Sequence, residues 1–160
     1  MRTILALLAA CAALATGPAW AADKSPGMDM HGMDMPGMKS MPATTRAFTE
    51  GHRFRIDLLT VPAPLPLQKY FELQLAVFDG RHPARRLTDA SIKVSAGMTH
   101  GMGHEFMHGM QSTPLVEAHA GRYIVRGMYL HMQGPWTLRV HVREGGHSGT
   151  ADLTLQCCGG

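Results

Sequence analysis

Trp136-Thr137-Leu138-Arg139-Val140-His141-Val142 alternates strictly between apolar and polar side chains. Successive side chains of a strand point to opposite faces. The heptapeptide therefore has one face for a core (Trp136, Leu138, Val140, Val142) and one for water (Thr137, Arg139, His141). A helix would scatter the same four apolar residues around its axis. Gly134-Pro135 before it and Gly145-Gly146 after it are turn formers, so the run reads as one complete strand.

The same two-residue period recurs outward in both directions. Ala151, Leu153 and Leu155 alternate with Asp152, Thr154 and Gln156 on the C-terminal side. On the N-terminal side the apolar sets are Tyr123 and Val125; Ala90, Ile92 and Val94; Phe71, Leu73, Leu75 and Val77; and Phe54, Ile56 and Leu58. Leu115 to Ala118 reads as a short edge strand. Pro62 to Pro66, Asp79-Gly80 and Gly121 supply the intervening turns, and no segment sustains a 3.6-residue period. About seven short strands separated by turns predict an all-β fold, an immunoglobulin-like antiparallel β-sandwich with Trp136 as its largest core side chain.

The first residues read differently. Met1-Arg2, an apolar run from Thr3 to Ala15, and the small-residue pattern Ala19-Trp20-Ala21 have the order of a secretory signal, giving a signal peptide over 1–21. The apolar run is shorter than the roughly 20 residues a membrane-spanning helix needs, so no stable membrane insertion is expected. Leu8-Ala9-Ala10-Cys11 also resembles a lipoprotein processing box, the other way of reading this segment. Either way the expected location is periplasmic or secreted. Residues 22–50 read as a disordered tail punctuated by Gly and Pro and poor in branched apolar side chains. Residues 51–160 form the domain. The net charge of +3 is carried by scattered Lys and Arg rather than a basic run, which argues against nucleic acid as partner.

The unusual composition is 13 Met and 10 His in 160 residues, and their positions carry the functional reading. Met28, Met30, His31, Met33, Met35, Met38 and Met41 crowd the tail. Met98, His100, Met102, His104, Met107, His108 and Met110 crowd an interval, residues 97–113, that reads as neither strand nor ordinary turn. A loop that long in a compact domain is usually functional. His131-Met132 lies between two strands and gains interest only if it meets that loop in space. His52, His82, His119 and His147 read as surface residues.

A thioether is neutral and polarizable, suits Cu(I), and binds hard cations poorly; imidazole accepts either copper state. Zinc would call for Cys, His and carboxylates, and carboxylates are sparse between these donors. The chain therefore reads as a copper-binding protein, Cu(I) in preference to Cu(II), acting as carrier, buffer or chaperone. A copper-receiving oxidase or efflux component is the expected partner. No nucleophile elbow, phosphate-binding glycine loop or His-Glu-x-x-His helix occurs, so it does not read as an enzyme. Two rivals stand beside this reading: an envelope interaction module without metal, and a thiol protein working through Cys157-Cys158. Neighbouring cysteines have Cα atoms about 3.8 Å apart, short for a disulfide. Intermolecular pairing, free thiols and a copper–thiolate site are the alternatives to a strained ring.

From Ala90 to Leu155 the chain resembles the YtkA-like domain family. The residues that carry the resemblance are Asp89-Ala90, the loop Met98-Thr99-His100-Gly101-Met102-Gly103-His104, Gly121-Arg122-Tyr123, and the corner Met128-Tyr129-Leu130-His131-Met132-Gln133-Gly134-Pro135-Trp136. Thr99 stands where the family commonly has proline. The resemblance implies an immunoglobulin-like fold and a link to copper handling or oxidase assembly, as in the related FixH-like proteins. The Met-rich tail and the Cys-Cys end lie outside it.

Overall fold

The structure, a computed structural model, describes residues 44–99 and 105–158. These fold into two antiparallel sheets packed face to face. The strands are β1 (Arg46–Phe48), β2 (Phe54–Thr60), β3 (Tyr70–Asp79), β4 (Arg86–Leu87), β5 (Ser91–Met98), β6 (His108–Gly109), β7 (Leu115–His119), β8 (Arg122–Tyr129), β9 (Gly134–Glu144) and β10 (His147–Cys157). One sheet runs β1-β2-β3-β8-β7, with β4 also paired to β3, and the other runs β10-β9-β5-β6. The only helical element among the described residues is a 3-10 turn, Glu50–His52. No helix there is long and apolar enough to cross a membrane.

All seven strands expected from alternation are present as β2, β3, β5, β7, β8, β9 and β10, and β7 is the edge strand it reads as. The strand count of about seven is nevertheless low, because β1, β4 and β6 are two or three residues long and show no period. β1 lies within residues 22–50. Its pairing Arg46↔Asp57 is reinforced by a bidentate ion pair, Arg46 Nε and a second guanidinium nitrogen to the Asp57 carboxylate at 2.8 and 3.1 Å. The interval 97–113 also holds more strand than its glycines suggest. β5 continues through Met98, and β6 returns beside it with Met98↔His108.

Burial follows the alternation. Phe54, Ile56, Leu73, Leu75, Val77, Tyr123 and Val125 face inward from the first sheet, and Val94, Ala96, Trp136, Leu138, Val140, Val142, Leu153 and Leu155 from the second. Trp136 heads the fully buried side chains by volume, as the sequence leads one to expect. Tyr123 joins the first sheet to the β4–β5 connection. Its hydroxyl accepts from the Ala90 amide at 3.0 Å and donates to the Leu87 carbonyl at 3.1 Å. Burial, foremost, pushes this phenol above its ordinary range. Tyr123→Phe keeps the ring but leaves a buried N–H and C=O unpaired, so urea unfolding should show a loss of about 1–3 kcal/mol. A loss under about 0.5 kcal/mol would mean that water replaces the hydroxyl.

Candidate metal centre

Sheet register decides which connections share an end. β5 and β9 are antiparallel with Gly97↔Thr137, so the C-terminal end of β5 lies beside the N-terminal end of β9. β3 and β8 pair Tyr70↔Tyr129, placing the β2–β3 and β8–β9 connections together. The Gln68 amide donates to the Leu130 carbonyl at 2.8 Å and ties these two connections directly. β10 also finishes here, with Cys157↔Gly134 and a parallel bridge from Cys157 to Leu65. The β5–β6 loop and His131-Met132 are therefore at the same end of the sandwich.

Met98 is only 8% exposed, on the inner face of β5. Its Cε lies 3.1 Å from where a Cβ on Gly134 would sit, so the thioether reaches the base of the His131–Gly134 corner. Gly134 has φ +117°, a conformation that L side chains rarely adopt, so glycine serves both the turn and the close approach. His108 pairs with Met98 across β5–β6 and so projects from the same face of the sheet, but at its exposed edge. Met107 is 66% exposed. Its neighbour Phe106 packs on Gly97, under the Arg139 guanidinium at 4.7 Å. This anchors the returning arm of the loop on the outer face of the sheet. Met110 is half-buried against the core and its sulfur accepts the Tyr129 amide at 3.2 Å, a structural bond between the sheets.

The His131-Met132 corner is braced. The Trp136 indole Nε1 donates to the Met132 carbonyl at 3.0 Å, and the His131 ring meets Trp136 edge-on at 5.3 Å. Leu130 immediately before is fully buried. His131 Nδ1 is buried and has no hydrogen-bond partner among the described residues. An orphaned buried nitrogen of this kind needs a partner, and a metal ion is one that an imidazole can take. Met132 is at the surface, 36% exposed.

The structure thus places Met98, Met107, His108, His131 and Met132 at one end of the sandwich. Met28, Met30, His31, Met33, Met35, Met38, His100, Met102 and His104 lie outside the described residues, as does the signal segment. Among the described residues no group of three or more His, Cys, Asp or Glu is placed to hold a metal.

Cys157 and Cys158 form a disulfide with each other, Cα atoms 3.7 Å apart. The intrachain ring that adjacency argues against is present; intermolecular pairing and free thiols are not needed to account for the pair. Sequence reasoning left these cysteines apart from the Met/His donors. The signal it lacked was register, because Cys157 joins this end through its pairing with Gly134 and its bridge to Leu65. No family model matches the chain, and no curated protein or solved structure shows significant similarity to it.

Proposed function

We propose that the protein binds copper at this end of the sandwich, Cu(I) in preference to Cu(II), and serves as an exported carrier, buffer or chaperone rather than as an enzyme. The observation that carries the reading is the placement of Met98, His108, His131 and Met132 at one end of the sandwich, with the buried His131 Nδ1 left without a partner among the described residues. Soft thioethers beside imidazole match Cu(I), which is content with two to four such donors. The ion is cargo, and the chain's own part is to hold it through neutral donors that need not lose a proton, so that mild acid leaves the thioethers competent. On this reading a periplasmic oxidase or efflux component receives the copper.

The fold belongs to the same proposal. The orders β2-β3-β8-β7 and β10-β9-β5-β6 repeat the A-B-E-D and G-F-C pattern of immunoglobulin-like sandwiches, with β6 added beside C. That topology supports the YtkA-like resemblance, although the core tryptophan here stands on the sixth of those strands and not on C. One observation favours the metal-free interaction module instead. Tyr70, 73% exposed, lies against Tyr129 at the same end, where Met107 and Met132 are also exposed, and aromatic and Met side chains are common in docking surfaces. Anaerobic titration of the copper-free full-length protein with Cu(I), against a chromogenic chelator, separates the two. Stoichiometric binding is expected, retained in a variant lacking residues 28–41 and lost when residues 98–110 are replaced by a Gly/Ser linker. Failure of the intact protein to compete with the chelator would leave the interaction module.

A further inference from the structure

Residues directly opposite on neighbouring antiparallel strands point to the same face, with Cβ atoms about 4.5–5.5 Å apart. Cys157 is opposite Gly134, which has no Cβ, and the methyl end of Met98 fills the space a side chain there would take. Met98 and Cys157 are thus both buried in the inner wall of the second sheet, on the two strands that flank β9 at its Gly134 end. Cys157 is fully buried, while Cys158 is half-buried with its Sγ 3.3 Å from the Leu65 carbonyl oxygen. His131-Met132 stands one residue before Gly134, across Gln133, on the neighbouring corner.

We propose that the Cys157–Cys158 disulfide gates the metal end: its reduction adds two thiolate donors to Met98 and His131 and converts a thioether–imidazole site into a thiolate site for Cu(I). The inference rests on the copper reading above. As a disulfide the two sulfurs carry no charge and are poor ligands. As thiolates they are soft, anionic and matched to Cu(I). A dithiol reductant supplies the two electrons. Its own thiols join as a disulfide, the Cys157–Cys158 S–S bond breaks, and each cysteine takes up one proton. Cu(I) then displaces those two protons and bonds both sulfurs, with no change in the metal's oxidation state. Re-oxidation by a disulfide-forming oxidant runs the other way: the S–S bond forms again, the oxidant takes the two electrons, and the ion loses both thiolates and departs. Without metal the reduced pair is accommodated, because a buried thiol behaves as a small apolar group and the Cys158 S–H has the Leu65 carbonyl as acceptor.

The test uses the copper-free full-length protein in two states, disulfide-bonded and reduced by a phosphine then desalted. Each is titrated anaerobically with Cu(I) against a chromogenic chelator. Reduction should raise the affinity at least about tenfold, equal to 1.4 kcal/mol, and a near-ultraviolet Cu(I)–thiolate absorption should appear only in the reduced state. A serine at position 157 would bury a hydroxyl, so Cys158→Ser carries the variant arm, and its affinity should no longer respond to reductant. Met98→Leu should diminish the gain on reduction. Equal affinities in both states without thiolate absorption would overturn the gate and leave the Met/His site standing. Tight binding only after reduction would uphold the gate and overturn the Met/His donors as an independent site. No binding in either state would overturn both.

Discussion

Trp136→Ala should destabilise the protein by about 3–5 kcal/mol, the usual range for removing a large aromatic side chain from a packed core. Trp136 is fully buried at the start of β9, facing Leu155 across the β9–β10 pair. Its ring is met edge-on by His131, and its indole holds the Met132 carbonyl. Alanine removes the packing and leaves that carbonyl without its donor, so two of the larger mutational effects coincide at one position. Trp136→Phe should recover part of the loss, since it restores most of the volume but not the hydrogen bond. Urea unfolding followed by far-ultraviolet circular dichroism gives both values. A loss under about 1.5 kcal/mol for the alanine variant would mean that the corner collapses into the space and that the tryptophan does not brace it.

The long strands were legible in the sequence because one face of each is buried and the other wet, and that difference is written with period two. β9 shows it best: Trp136, Leu138, Val140 and Val142 are all fully buried. β3 blurs it, since Ala76, on the opposite face from Leu75 and Val77, is buried too. What was not legible has no period. β1 is specified by the Arg46–Asp57 ion pair and by the Thr44 amide bonding the Thr154 carbonyl, partners eleven and more residues away. β6 is two residues held by register against Gly97 and Met98. No local pattern announces either.

The candidate site divides along the same line. Its chemistry was legible, since Met and His at this density are unusual and their softness is a property of the side chains alone. Its assembly was not. That His131-Met132 shares an end of the sandwich with the close of β5 follows from β5 and β9 being antiparallel neighbours, and that Cys157 joins them follows from β10 being the next strand over. Met110 shows the limit in the other direction. It reads as one donor among seven, yet its sulfur is occupied by the Tyr129 amide, and only the packing of the two sheets assigns it to structure.

Replacing both His131 and Met132 by alanine should lower Cu(I) affinity by at least about a hundredfold in the disulfide-bonded protein. Changes to partners that merely orient metal ligands already cost about 10–100-fold, and here two donors are removed. The same double change at Met107 and His108 should cost less, and the reason is rigidity. His131-Met132 is fixed by the buried Leu130, by the Gln68 amide on the Leu130 carbonyl and by the Trp136 indole on the Met132 carbonyl, so its donors are in place before the ion arrives. Met107 and His108 are both exposed, His108 on a two-residue edge strand and Met107 just before it, so the backbone there is braced less than the corner, and each residue that binding must order gives back about 1–2 kcal/mol. Met98 also remains to the loop variant, while the corner variant keeps Met98 with only edge donors. The two double variants are compared by chelator competition, with thermal unfolding as a control because the His131 ring touches Trp136. If the corner variant binds as tightly as the loop variant, the ion is held by the edge of the sheet, and His131 Nδ1 owes its burial to packing alone.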